Sequence, residues 1–162
     1  KNHILLLQAL SKLKDKITFE LIILGNGKLK SKLIKFAKKN NIFNDIKILD
    51  YTANPYPYMR DCDIMIHTAK YEGLPNVLVE TQLFKKFIIS SDCPTGPKEI
   101  LNNGKSGLLF KNNNTKDLIN KIIYYKKNIK FLKIKQTYGY NQLGRFELNL
   151  NLNKYYKKIL QI

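Results

Sequence analysis

The stretch Thr18-Phe-Glu-Leu-Ile-Ile-Leu24, followed at once by Gly25-Asn-Gly27, decides the fold class. Its apolar and β-rich residues run almost without interruption, which is typical of a strand buried on both faces of a parallel sheet. The run ends at the two glycines, and apolar residues then recur at helical spacing over residues 28–40. The segment therefore predicts a strand, a glycine turn and a helix, which together form one βα unit.

The same alternation of strand and helix patterns continues on both sides of this unit. Apolar runs predict further strands at residues 46–49, 63–67, 87–91 and 107–110. Helical patterns are found at residues 2–14, 58–61, 75–84, 96–101 and 115–127, the last with Thr115 as its N-cap. A basic helical stretch follows over residues 131–162, with an asparagine-rich interruption near residues 149–153. The pattern predicts an α/β fold, a doubly wound, Rossmann-like parallel sheet with helices on both faces.

This topology also predicts where a ligand binds. In open parallel sheets, ligands bind beyond the carboxyl ends of the strands. We therefore expect the loops after Leu24, Leu49, His67 and Ser91 to line one crevice.

Composition limits the classes of function. Two cysteines and two histidines cannot assemble a metal-ligand cluster in this 162-residue chain. The formal charge of +17 suits a nucleic acid or an anionic membrane as partner, although a bias toward Lys, Asn and Ile explains it equally. Only Arg60 and Arg145 among the 29 basic residues are arginines, which argues against specific nucleic-acid recognition. A non-catalytic basic module that binds nucleic acid or an anionic membrane remains the alternative to an enzyme.

The most informative segment is Tyr71-Glu-Gly-Leu-Pro-Asn-Val-Leu-Val-Glu80, which follows a predicted strand and opens a predicted helix. Gly73 allows the backbone to approach a ligand, and the free N–H groups of the helix N-terminus suit a diphosphate. Glu72 before the helix and Glu80 within it are suited to accept hydrogen bonds from two sugars. From spacing alone, a helix-terminal acid and a solvated glutamate are an equally good interpretation of this pair.

The segment from Glu72 to Glu80 resembles the E-x7-E signature of the retaining family-4 glycosyltransferases, including its Glu-Gly-Leu-Pro form. Three further blocks resemble the same family in the same order, and the resemblance covers about residues 1–128. These blocks are Leu21-Ile-Ile-Leu-Gly-Asn-Gly27, Asp61-Cys-Asp-Ile-Met-Ile66, and Phe87-Ile-Ile-Ser-Ser-Asp-Cys-Pro-Thr-Gly-Pro-Lys-Glu-Ile-Leu101 with its continuation Asn103-Gly-Lys-Ser-Gly107.

The resemblance implies roles for individual residues. Glu80 would bind the ribose hydroxyls of a nucleotide, and Glu72 would contact the transferred sugar. Lys1 is the candidate for the family's lysine that neutralises the diphosphate. The segment Gly73, Leu74, Pro75 and Asn76 would contact the phosphates through its backbone. Gly25 would belong to the family's glycine turn, and Tyr51 and Thr52 would lie at the nucleobase pocket.

The resemblance further implies the C-terminal half of a two-domain (GT-B) enzyme. Residues 1–130 would form the nucleotide-sugar-binding domain, and residues 131–162 a helical segment that packs on it or reaches toward an N-terminal domain. The enzyme would transfer a sugar, from a UDP-linked donor, to a hydroxyl acceptor of a bacterial surface glycan or glycolipid. It would need no metal or other cofactor and would work in the cytoplasm, peripherally on the inner face of the membrane. The chain does not begin with Met, so we expect it to begin within a longer protein and to be inactive alone.

Two other candidates carry less weight. Asp61-Cys62-Asp63 spells the D-x-D sequence that holds a metal in GT-A glycosyltransferases, but its position favours two acids that flank a helix and a strand. His67 stands at a strand end near Glu72, where a general base or a hydrogen-bond donor to the sugar would be placed. For a lone histidine, a structural role is the more common one.

Overall fold

The computed structural model describes residues 1–160, and within them it contains five strands. Every strand pairing is parallel: β1 pairs with β2, and β4 lies between β3 and β5. The parallel α/β class predicted from the sequence is confirmed, and the strands divide into a two-stranded and a three-stranded sheet. The strands are β1 (Leu21–Leu24), β2 (Ile46–Leu49), β3 (Ile64–His67), β4 (Phe87–Asp92) and β5 (Leu108–Lys111).

Helices alternate with these strands along the chain. Two short 3-10 helices, Phe43–Asp45 and Leu143–Phe146, precede β2 and the last helix. None of the helices within residues 1–160 combines the length and the apolar character needed to cross a bilayer. The helices are α1 (His3–Ser11), α2 (Lys30–Lys39), α3 (Tyr56–Asp61), α4 (Asn76–Leu83), α5 (Pro97–Ile100), α6 (Thr115–Asn141) and α7 (Leu148–Ile159).

Strand β4 is buried on both of its faces, which makes the three-stranded sheet doubly covered. Phe87 and Ile89 point into a core formed with α1 and α6, whereas Ile88 points into a second core formed with α4 and α5. Alternate residues of a strand face opposite sides of the sheet, so a continuous apolar run is what two covered faces require. Helix α1 also places Leu7 in the core of the two-stranded sheet, and so packs against both sheets.

The start of α6 differs from the sequence-based prediction. Asn114 is the N-cap, because its side-chain oxygen accepts a hydrogen bond of 2.9 Å from the amide of Asp117. Thr115, predicted as the cap, is instead the first helical residue. Both residue types cap helices well, and sequence pattern alone does not separate neighbours of this kind.

The predicted interruption near residues 149–153 is wrong. Helix α7 runs through these residues, and the break lies at residues 142–147. Leu148, Leu152 and Ile159 recur at helical spacing, and this pattern outweighs the weak helix propensity of the asparagines between them. The division at residue 130 stays a prediction; α6 crosses that residue, with non-helical backbone angles at Asn128.

Candidate functional site

Glu72 lies in the loop between β3 and α4 and receives two hydrogen bonds on one oxygen. Lys1 Nζ is 2.5 Å from Glu72 Oε1, and His67 Nε2 is 3.1 Å from the same atom. The Glu72 side chain is only 14% exposed. Among residues 1–160, the other oxygen, Oε2, receives no hydrogen bond. Glu72 is therefore a nearly buried carboxylate with one oxygen held by the protein and one oxygen left for a ligand.

His67 ends strand β3 and is held at both ring nitrogens. Its Nδ1 lies 2.9 Å from Ser90 Oγ, on the neighbouring strand, where His67 and Ser90 are register partners. A carboxylate only accepts hydrogen bonds, so His67 Nε2 must carry a proton that it donates to Glu72. Neutral His67 then accepts a hydrogen bond at Nδ1 from the hydroxyl group of Ser90.

Electrostatics support an ionised Glu72 beside a neutral His67. Burial alone raises the pKa of Glu72, but the hydrogen bonds from Lys1 and His67 outweigh it and hold that pKa below its ordinary value. Burial lowers the pKa of His67, and its hydrogen bond to Glu72 only partly opposes this effect. A negative carboxylate is the form that accepts hydrogen bonds from sugar hydroxyls.

The loop after β4 fixes the backbone of the Glu72 loop. Thr95 Oγ1 donates to the carbonyl oxygen of Glu72. Gly96, with φ of +81°, lies against Gly73 and Pro75, where a Cβ would clash with both residues. Sequence reasoning missed Thr95 and Gly96 as site residues; the Pro-Thr-Gly-Pro sequence of residues 94–97 was the available signal for a constrained turn.

Helix α4 begins directly after the loop that holds Glu72. Pro75 precedes its first turn, and the first backbone hydrogen bond of the helix runs from the Leu78 amide to the Pro75 carbonyl. No backbone acceptor within residues 1–160 takes the amides of Asn76 and Val77, which leaves them to bind an anion. Leu74 is half exposed at the mouth of the loop.

The other predicted site residue of this segment, Glu80, is partly buried within α4. Across the described 160 residues, Glu80 forms no ion pair, and no hydrogen bond joins it to Glu72. The two carboxylates therefore belong to one helix region and are not joined by a hydrogen bond within residues 1–160. The roles of Glu72 and Glu80 toward sugar and ribose stay predictions.

Lys1 is brought to the site by the start of α1. Thr68 Oγ1 donates to the Lys1 carbonyl oxygen at 3.0 Å, which places Lys1 beside the end of β3. The Lys1 side chain is 58% exposed, so the ammonium group is reachable from solvent. The structure thus brings together Lys1 and Glu72, two residues that the sequence assigned to one site.

The remaining predicted residues lie at the ends of β1 and β2. The Gly25 amide donates to the Leu49 carbonyl oxygen at 3.0 Å and joins the two loops. Tyr51 is 75% exposed, and within residues 1–160 Thr52 forms side-chain hydrogen bonds only inside its own loop, with Asn54. No hydrogen bond in the described part of the chain connects these loops to Glu72, so their role at a nucleobase stays a prediction.

The D-x-D sequence occupies the other end of β3. Asp61 ends α3 and is paired with Arg60, while Asp63 immediately precedes β3. His67 and Glu72 follow the opposite, carboxyl end of the strand. Within residues 1–160, no group of three or more His, Cys, Asp or Glu side chains is placed to hold a metal ion.

Residues 1–142 match the family described as glycosyl transferases group 1. The chain belongs to this family. Among curated glycosyltransferases, it is 33% identical over 114 residues to the N-acetylgalactosamine-N,N'-diacetylbacillosaminyl-diphospho-undecaprenol 4-alpha-N-acetylgalactosaminyltransferase of Campylobacter jejuni. It is 28% identical over 101 residues to the poly(ribitol-phosphate) alpha-N-acetylglucosaminyltransferase of Staphylococcus aureus. These alignments cover 70% and 62% of the chain but only 31% and 20% of the two enzymes.

Several solved glycosyltransferase structures share the fold of this chain. A glycosyltransferase from Rickettsia africae superposes with a TM-score of 0.87 at 27% identity, over 99% of the chain and 45% of that protein. Anabaena HepE in complex with UDP gives a TM-score of 0.85 at 19% identity, again over 99% and 45%. The fold is that of GT-B glycosyltransferases, and the chain spans less than half of each solved protein.

Proposed function

We propose that this chain is the donor-binding domain of a retaining, family-4 type glycosyltransferase. The observation that supports this most is the position of Glu72, an ionised and nearly buried carboxylate with one free oxygen, directly before the open N-terminus of α4. A sugar hydroxyl fits the free oxygen, and a diphosphate fits the amides of Asn76 and Val77. A nucleotide sugar carries both a sugar hydroxyl and a diphosphate.

Each group has a defined task in this proposal. Departure of the diphosphate leaves positive charge on the sugar and builds negative charge on the leaving oxygen. Lys1 and the amide groups of the α4 N-terminus would stabilise that negative charge, and fixed donors in a partly buried site are effective at this. Glu72 would hold the sugar, and Glu80 would hold the ribose. We favour attack of the acceptor on the same face, with the leaving phosphate taking its proton, and no metal ion.

UDP is the nucleotide that we propose. HepE and the pneumococcal O-GlcNAc transferase GtfA, which share the fold, were both crystallised with UDP. The two curated relatives transfer N-acetylhexosaminyl groups according to their names, one of them to an undecaprenol-linked glycan. We therefore propose a UDP-linked hexose or N-acetylhexosamine as donor and a bacterial surface glycan or lipid-linked glycan as acceptor, the latter held by an N-terminal domain.

The proposal also places the enzyme in the cytoplasm, at the inner face of the membrane. The net charge of +17 favours anionic lipid headgroups, and Lys154, Lys157 and Lys158 lie on the exposed helix α7.

Calorimetric titration of the chain with UDP, GDP, ADP and a short oligonucleotide, in EDTA, tests the donor proposal. We expect saturable binding of UDP that weakens about tenfold or more in Glu80→Ala, because a carboxylate hydrogen bond to a hydroxyl is lost. Glu20→Ala is the matched control. Glu20 directly precedes β1, at the amino end of the strand, and pairs there with Lys47. Indifference to all nucleotides, with tight and salt-sensitive oligonucleotide binding, would favour the basic-module alternative instead.

A further inference from the structure

We propose that His67, held by Ser90, is a positioning residue that orients Glu72 so that its Oε2 atom faces the transferred sugar of the donor. This inference rests on the proposed function, because it assigns a sugar to Glu72. It adds Ser90, which the sequence did not single out, and it gives His67 a positioning role in place of the general base or sugar donor considered from the sequence. It also separates the recognition of the sugar from the recognition of the nucleotide.

The geometry of His67 leaves its ring little freedom. Its side chain is 6% exposed, and each ring nitrogen has a partner, Ser90 on one side and Glu72 on the other. Ser90 lies directly opposite on β4, a strand that is buried on both faces. A hydrogen-bond donor at a rigid, buried strand end restricts the orientation of its acceptor more than a donor on a flexible side chain does.

Lys1 does not perform this task in the presence of a donor. Its ammonium group binds the same Glu72 oxygen, but its side chain is 58% exposed and rotates about a long stem. A bound diphosphate carries more negative charge than one carboxylate and would compete for Lys1. His67 then remains as the group that holds Glu72 Oε1, which leaves Oε2 directed at the ligand.

Ser90 determines which ring nitrogen of His67 carries the proton. Its hydroxyl is within reach of His67 Nδ1 and, at 3.2 Å, of the Ser91 carbonyl oxygen. When His67 is neutral, the hydroxyl donates to Nδ1 and so keeps the ring proton on Nε2, opposite Glu72. Loss of this hydroxyl would free the other tautomer, in which an unprotonated Nε2 would repel the carboxylate.

The first experiment reads the tautomer directly. The chain has two histidines, His3 and His67, so the histidine signals in a long-range nitrogen–proton NMR spectrum are few, and His67→Gln assigns them. We expect neutral His67 to show the Nε2–H tautomer. The Nδ1–H tautomer would overturn the proposal even if the chain bound no nucleotide.

The second experiment compares the affinities for UDP-N-acetylglucosamine and UDP. In His67→Ala, we expect the affinity ratio of sugar nucleotide to UDP to fall about tenfold, with UDP binding itself unchanged, because Glu72 loses its orienting donor. His67→Gln should restore much of the ratio, since its amide can replace the Nε2 donor. His3→Gln, which alters the other histidine, is the control and should match the wild type.

The outcomes separate this inference from the proposed function. If wild type binds neither UDP nor the sugar nucleotide, the proposed function fails. If wild type binds both and His67→Ala keeps the wild-type ratio, donor binding stands and the positioning role is refuted. A loss of UDP affinity equal to the loss of sugar-nucleotide affinity would also refute it, because it would indicate general damage to the fold.

Discussion

Gly96 lies directly against Gly73: a Cβ on Gly96 would come within 2.1 Å of the Gly73 carbonyl oxygen and 2.5 Å of Pro75 Cδ. The φ of +81° at Gly96 also disfavours any residue with a side chain. We expect Gly96→Ala to lower the free energy of unfolding by about 2 kcal/mol or more, since clash and backbone strain add. The same change should weaken UDP binding, because it displaces the loop that precedes α4. Urea denaturation and calorimetry measure the two effects.

Gly144→Ala is the matched control for this prediction. A Cβ at Gly144 meets no atom within 4 Å, and the residue lies in the short 3-10 helix Leu143–Phe146, which forms no hydrogen bond with Glu72 within residues 1–160. We expect its stability to stay within about 0.5 kcal/mol of the wild type, with unchanged nucleotide affinity. Equal effects of the two substitutions would show that the close approach at Gly96 has no special importance.

The pKa of His67 predicts how stability depends on pH. Burial lowers this pKa in the folded chain, whereas a histidine in the unfolded chain takes up its proton near pH 6.5. The unfolded state therefore binds more protons between about pH 6.5 and the lower folded pKa, so stability is lost as pH falls through this interval. We expect the decline in the free energy of unfolding to be shallower in His67→Gln, measured by urea denaturation at a series of pH values.

His3 makes a second contribution to the pH series. Its pKa is also lowered, chiefly by burial and further by the charges of the N-terminus, Lys1 and His67, so His3→Gln should remove another share of the decline. The double variant should then have the flattest profile of the four proteins. A profile of His67→Gln that is superimposable on the wild type would contradict the buried, neutral state of His67.

The cap of α6 provides a test between sequence and structure. Asn114→Ala removes the acceptor of the Asp117 amide, and we expect a loss of about 1 kcal/mol. Thr115→Ala removes only a weak contact of 3.4 Å with Gln8 and should change stability little. Thermal or urea unfolding of the two variants measures both losses of stability. A larger loss for Thr115→Ala would show that Thr115, the residue that the sequence indicated, is the cap.

The strands and the site loop were predictable for local reasons. An apolar run such as residues 87–91 has few alternatives to a buried strand, and Glu72 next to Gly73 and Pro75 marks a loop before a helix. The contact between Thr95 and Glu72, in contrast, joins residues 23 positions apart and depends on how two loops fold over neighbouring strands. Sequence pattern reports local preference, and such hydrogen bonds between loops are set by the tertiary packing.

The break before α7 was misplaced for a related reason. Asparagine prefers turns because its side chain competes for backbone groups, and residues 149–153 therefore resembled a loop. In the structure, Asn151 directs its amide to the carbonyl oxygens of Arg145 and Glu147, so this competition occurs at the start of the helix and stabilises it there. The asparagine content of this segment alone favours a turn. The position of the preceding turn gives the Asn151 side chain carbonyl partners at the helix start, so here the asparagine supports the helix.

The exposed apolar face of α7 leads to a prediction about membranes. Apolar side chains recur at helical spacing and are all exposed, and three lysines and three asparagines lie elsewhere on the helix surface. An amphipathic basic helix of this kind suits the headgroup region of an anionic bilayer. We expect stronger retention on phosphatidylglycerol-containing vesicles than on phosphatidylcholine vesicles at modest salt, measured by co-sedimentation. The apolar face comprises Leu148, Leu152, Tyr155 and Ile159.

Two variants of α7 separate this interaction from general charge attraction. Leu152→Asn should weaken retention on the anionic vesicles by removing buried apolar area, and Lys157→Gln combined with Lys158→Gln should weaken it further, at about 1 kcal/mol for each lysine near the surface. Asn153→Gln, which changes a polar residue outside the apolar face, should behave as the wild type. Equal retention of the wild type on neutral and anionic vesicles would exclude the peripheral membrane role, because a charge of +17 would then contribute nothing to binding at that surface.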